Sequence, residues 1–155
     1  MKGAALIASL QVSLLRRPLL RVETVQDCLA LSREEVNAMI ESGDLAFAFD
    51  LATKSAKRKE PRIFTLCVAE KTGWKNPTGQ TKNFQLPDVI GMILPKRDVR
   101  STELQRILAC SHQQIYLPEN RFSVCKQPST NSGPNSFSVF SRASVERFLV
   151  ERRMS

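Results

Sequence analysis

The sequence predicts an α+β chain, mostly helical, with two small units in tandem behind an N-terminal helix. Three observations carry this expectation. A length of 155 residues, 42% hydrophobic and 25% charged, suits one domain or two very small ones with a real core. Two serine-led helix starts, Ser32-Arg33-Glu34-Glu35 and Ser111-His112-Gln113-Gln114, recur along the chain. The stretches around them match at a shift of 79 residues. The expected division is an apolar helix in residues 1–21, one unit in 22–94 and a second in 95–155.

The elements follow in order. From Ala4 to Leu15, Leu6, Ile7, Leu10, Leu14 and Leu15 fall at helical spacing, and Pro18 ends the run. Such a helix must bury its stripe. The few basic residues at its end favour a docking or dimerisation role over a membrane anchor. Thr24 to Leu29 reads as a short helix, and Ala30-Leu31 as a turn. Ser32 and Glu35 then form a capping box that opens a helix with Val36, Met39 and Ile40 inward, closed by Gly43. Two helices joined so tightly are the frame of a helix-turn-helix. Leu45 to Leu51 alternates as a strand does, and Arg62 to Val68 is rich in β-branched residues, so the pair reads as a hairpin around the basic tract at 54–62.

Residues 70–85 read as loop, with Trp74 as its packing anchor. Pro87 opens a helix through Leu94, stopped by Pro95. Ser101 to Leu108 is helical, and the helix begun at Ser111 is cut short by Pro118. Arg121 to Val124 and Phe137 to Phe140 read as strands, and Ser141 caps a closing helix with Val145, Phe148 and Leu149 inward. At the shift of 79, Leu29-Ala30-Leu31-Ser32 lies over Leu108-Ala109-Cys110-Ser111, and Val36 meets Ile115. Each copy then passes into two strands and a helix. Agreement in element order, more than the eight aligned positions, points to a duplication.

Charge is uneven. The 23 basic and 15 acidic residues give +8. Residues 22–50, however, hold Arg33 alone against seven acids, whereas 51–85 hold eight basic residues against Glu60 and Glu70. No apolar run reaches the roughly 18 residues of a membrane span, and no cleavable leader is recognisable, so the expected setting is cytoplasmic. Cys28, Cys67, Cys110 and Cys125 form no C-x-x-C and, with His112 as the one histidine, no zinc spacing. Reduced, buried thiols are the simpler reading. No metal or cofactor is expected. No G-x-S-x-G, Walker loop, G-x-G-x-x-G or H-E-x-x-H is present, so an enzyme is not expected.

The run from Val25 through Ser32-Arg33 and Val36 to Ile40, Gly43 and Leu45 resembles the winged helix-turn-helix of MerR-type regulators and phage excisionases. The closing stretch, Phe140-Ser141-Arg142 to Leu149, is similar to the strand-to-helix ending of those small domains. The resemblance implies that the second helix of each unit enters the major groove while the wing holds the backbone. Carried over, Arg33, Glu34 and Asn37 are the outward positions of the first copy, and His112, Gln113 and Tyr116 their counterparts. Lys54, Lys57, Arg58, Lys59 and Arg62 would grip phosphate from the first wing, joined by Arg121 and Arg142 in the second half. Gln113 has the carboxamide suited to adenine.

Glu34, Glu35 and Glu41 face a phosphate groove poorly, and Pro118 sits where Met39 sits in the first copy. The second copy and the first wing are therefore expected to do more of the DNA work than the first recognition helix. The function expected is non-enzymatic binding of double-stranded DNA, by a transcription regulator or by an excision or replication accessory factor of a mobile element. A homodimer or protein partner would be met through Ala4 to Leu15. The alternative is a protein-interaction adaptor using the acidic 22–50 face. An RNA-binding reading lacks module signatures.

Overall fold

The computed structural model describes residues 17–52, 57–75, 79–115, 124–125 and 139–154. The expected helix from Ala4 to Leu15 lies outside them. The fold is α+β, with two small antiparallel sheets. The first half runs β1 (Leu19–Arg21), α1 (Val22–Leu29), α2 (Arg33–Ser42), β2 (Ala48–Asp50), β3 (Pro61–Phe64) and α3 (Thr65–Lys71). A 3-10 turn (Thr81–Asn83) and α4 (Leu86–Ile93) connect it to the second half. There follow β4 (Val99–Arg100), α5 (Ser101–Leu108), α6 (His112–Ile115), β5 (Val124–Cys125), β6 (Val139–Phe140) and α7 (Arg142–Glu151). The order β-α-α-β-β-α thus occurs twice. Each sheet also places its last strand in the middle: β1-β3-β2 and β4-β6-β5.

The turn between the paired helices is the most closely repeated feature. Ala30 and Ala109, 79 positions apart, are the two non-glycine residues with positive φ among those described, at 54° and 50°. Each ends a helix in the left-handed region, which satisfies carbonyls that the helix leaves open. The next amide closes the same loop in both halves: Leu31 N–H donates to Gln26 O at 3.2 Å, and Cys110 N–H to Gln105 O at 3.1 Å. Ser32 then accepts from Glu35 N–H at 3.1 Å while Glu35 accepts from Ser32 N–H at 3.3 Å, the expected capping box. Ser111 Oγ accepts from Gln114 N–H at 3.2 Å. Gly43 closes α2 at φ 84°, where a side chain would be strained.

Two segments differ from expectation. The run from Arg62 to Val68 does not continue as a strand: β3 ends at Phe64 and Thr65–Lys71 is helical. Thr65 to Ala69 are all buried, so burial on every side outweighs β-propensity and erases the amphipathic period. The helix also reaches into the expected loop at 70–85, whose 3-10 turn is tied back when Glu70 accepts from Thr81 N–H at 2.8 Å and Oγ1 at 2.7 Å. Trp74 is half-buried against the core, as its packing role requires. Leu45 to Leu51 narrows to a three-residue strand, Ala48–Asp50. Leu19–Arg21, the end of the segment 1–21, pairs with β3 as a strand of the first sheet.

One contiguous apolar core joins the halves. Val25, Val36, Leu45, Ile63 and Phe64 are wholly enclosed in the first half, and Val99, Leu104, Val145 and Leu149 in the second. Val89, Ile90 and Ile93 of α4 lie between them in sequence and belong to the same cluster. Phe47 meets Phe64 edge-to-face, centroids 6.2 Å apart. The residues after α7 then return to the first sheet. Asp50 N–H donates to Arg152 O and Met154 N–H to Ala48 O, both at 2.8 Å, and Phe49 pairs with Arg153 in an antiparallel bridge. Arg152 Nη1 donates to Ala52 O. The free edge of β2 is thereby covered, which removes a template for unwanted strand pairing. Cys67 is buried, and Cys28 and Cys110 are half-buried; all three are free thiols. Among the described residues no helix is long and apolar enough to cross a membrane.

Candidate nucleic-acid interface

The helix α2 and the hairpin behind it converge on one surface cleft. Arg33 and Asn37 stand one helical turn apart and so share a face. With Glu41 of α2 they line a cleft of about 470 Å3, closed on its other side by Arg58 and Lys59 of the hairpin and by Met154. Lys57, Arg58 and Lys59 are exposed, and none of them makes a salt bridge among the described residues. Arg33 is half exposed and pairs with Glu23 at 3.0 Å. The backbone N–H of Glu23 and then this bond hold the Glu23 carboxyl below its ordinary range. Glu34, Glu35 and Glu41 remain exposed, so the helix face keeps the acidic character noted in the sequence.

The start of α6 reaches the same region from the second half. Gln114 Nε2 donates to Glu60 Oε2 at 2.9 Å, across 54 positions of sequence. His112 and Gln113 are exposed, and His112 Nδ1 lies 3.4 Å from Gln105 Nε2. Lys54, Tyr116 and Arg121 lie outside the described residues. The structure therefore brings together Arg33, Asn37, Arg58 and Lys59, with the capped start of α6 next to the hairpin root.

Two of the expected phosphate contacts are engaged inside the molecule. Arg62 is only 6% exposed. Its Nε donates to Leu108 O at 2.9 Å, its Nη2 to Ala109 O at 3.0 Å and its Nη1 to Pro61 O at 3.2 Å. The guanidinium thus clasps the carbonyl end of α5, where the helix dipole favours a cation. Burial lowers its pKa. Arg142 donates from Nε to Pro95 O at 2.8 Å and from Nη1 to Glu146 at 2.9 Å, and its amide donates to Asp98 at 3.0 Å. It starts α7 and ties that helix to the segment before β4.

Arg21 is a residue that the sequence patterns do not single out. It is exposed, faces Arg62 directly across β1 and β3, and donates from Nε to Ala109 O at 3.0 Å. Its signal is present in the repeat, since Arg100 lies 79 positions on. Arg153, with its guanidinium carbon 4.8 Å above the centre of the Phe47 ring, carries no local signal. Burial pushes the Cys110 thiol up to about 11, although Arg62 and Arg21 pull it down. That thiol is uncharged at neutral pH.

Compared with protein-family models, with curated proteins and with solved structures, the chain finds no match.

Proposed function

We propose that the chain is a non-enzymatic duplex-DNA-binding protein whose halves act as two winged helix-turn-helix units. It would serve as a transcription regulator or as an accessory factor in excision or replication of a mobile element. One observation carries the reading: outward residues of the second helix, Arg33 and Asn37, share a cleft with the hairpin cations Arg58 and Lys59, which make no salt bridge among the described residues. A second helix set in a groove with a basic hairpin over the flanking backbone needs that juxtaposition. Lysine and arginine contacts to phosphate supply affinity and salt dependence, while a few side chains at the helix start read base edges. Asn37 and Gln113 are carboxamides able to bond adenine N6 and N7 together. The capped α6 places His112 and Gln113 outward beside the hairpin root.

A second reading, a protein-interaction adaptor, is favoured by the exposed carboxylates of Glu34, Glu35 and Glu41 on α2. Salt-dependent duplex titration separates the two. Under the DNA reading, affinity falls steeply with salt, and changing Lys57, Arg58 and Lys59 together to Ala weakens all sequences alike. The slope of log K against log salt should then drop by about 0.9 for each phosphate that the variant no longer neutralises. No duplex binding at low salt, or indifference to those changes, leaves the adaptor reading.

A further inference from the structure

Arg21 and Arg62 form a like-charged pair at the junction of the halves. They stand directly opposite each other across β1 and β3, an arrangement that repels. The topology does not demand it, because the residues paired at the matching place in the second sheet are Arg100 and Val139. The end of α5 accounts for part of the pair: Ala109 O accepts from both arginines, and Leu108 O from Arg62. Neutral carbonyls hold a guanidinium in place without cancelling its charge.

Both arginines line a cleft of about 340 Å3, with Glu23, Arg33, Glu60 and Gln114 among others. The two Nη groups of Arg21 have no acceptor among the described residues. Arg62 offers five N–H groups and donates through three bonds, all to carbonyls. The carboxylate within ion-pairing reach is Glu60, 4.0 Å from Nη2 and itself half exposed. Glu23, also on the cleft, is turned to Arg33. Burial and the neighbouring charge of Arg21 disfavour the Arg62 cation, and the two glutamates offset this only in part. A buried cation so poorly compensated attracts an anion.

We propose that this cleft binds a phosphate group, namely a backbone phosphodiester of the duplex, gripped by Arg21, with the buried Arg62 supplying positive charge behind it and Arg33 at its rim. This rests on the DNA reading above. Guanidinium forks arriving from β1, β3 and α2 suit an anion with several oxygens better than a single carboxylate. The cleft also lies between the starts of α2 and α6, beside the root of the basic hairpin. Backbone would pass there if both helices meet one duplex.

Inorganic phosphate, titrated at constant ionic strength against chloride, should raise the melting temperature of the wild-type chain in a dose-dependent way. Arg21→Gln should abolish that rise relative to its own baseline, and Arg21→Lys, keeping charge without the fork, should retain part of it. Glu23→Gln removes a carboxylate from the cleft and should tighten phosphate binding several-fold. In duplex titrations Arg21→Gln should lower the salt slope by about 0.9, the value of one phosphate. A phosphate response untouched by Arg21→Gln, or unimproved by Glu23→Gln, overturns the site and leaves the arginines as helix clamps alone. A response lost in Arg21→Gln with an unchanged duplex slope overturns the backbone assignment in favour of free phosphate. Displacement of phosphate by a glutamate-rich peptide but not by duplex also overturns it, in favour of the adaptor reading. If no duplex binds at all, the DNA reading fails, while the phosphate titration still decides the cleft.

Discussion

The two halves share a topology yet invest it differently. In the first, α2 is ten residues long with a reciprocal capping box, and its sheet has strands of three and four residues. In the second, β4 has two residues, and the cap of α6 is one-sided: Ser111 accepts from Gln114 N–H while the Gln114 side chain donates to Glu60. What both keep is the turn: a left-handed alanine, an amide donating back to a glutamine carbonyl, and a capping serine. The lesson is that this turn sets the relation of the two helices, while the capping behind it differs between the halves. The halves differ again where they meet. The first supplies two arginines, and the second supplies the helix end that receives them.

The largest test of that asymmetry is Arg62→Ala. It strips charged donors from the carbonyl end of α5 and should cost on the order of 3 kcal/mol. Arg100→Ala, an exposed position in the second sheet, should cost about 0.5 kcal/mol or less. Urea unfolding of both variants checks this, and equal losses would break the comparison. Caps come next. Ser32→Ala should cost about 1 kcal/mol. Ser111→Ala should cost about half of that, since its cap lacks the return bond and the Gln114 side chain donates to Glu60 instead. Thermal unfolding of the pair would show whether α6 depends on its serine as α2 does.

The smallest effect is in acid. Each half holds a glutamate in the first turn of its first helix with its carboxyl below the ordinary range. For Glu103 the forked bond from Arg97, at 2.8 Å to each oxygen, is the main cause. Glu23 is held low chiefly by backbone donors and then by Arg33. A carboxyl that titrates lower when folded contributes fully above its unfolded value of about 4.3. The contribution is lost as pH falls through the lowered folded value. Glu103→Gln should therefore lose a modest part of its stability at neutral pH, flatten the acid limb of the stability curve and meet the wild type in acid. Guanidinium unfolding at stepped pH would show it, and a deficit that stays the same from pH 7 into acid would contradict it.

What was legible in the sequence was local. Ser32 and Glu35 lie three residues apart and cap each other, and Gly43 sits where the chain needs a positive φ, so α2 could be bounded in advance. Val145, Phe148 and Leu149 kept a helical period because α7 hides one side only. Thr65 to Ala69 lost that period because every side is covered. Leu19–Arg21 is too short to show alternation, and its partner lies more than forty residues away. The candidate site was legible to the same degree. Arg58 and Lys59 look like surface cations and are. Arg62, in the same basic tract, is drawn inward by a helix end 46 positions further on, which no reading of the tract itself supplies.

The bridge between Phe49 and Arg153 has a consequence for biosynthesis. The outer strand of the first sheet waits for a partner about a hundred residues downstream. At roughly 5–20 residues per second, the ribosome leaves that strand open for about 5–20 s after it emerges. During that time the early half is an incomplete nascent domain with an exposed pairing edge. Synthesis of residues 142–154 completes the early half and the late half in the same event.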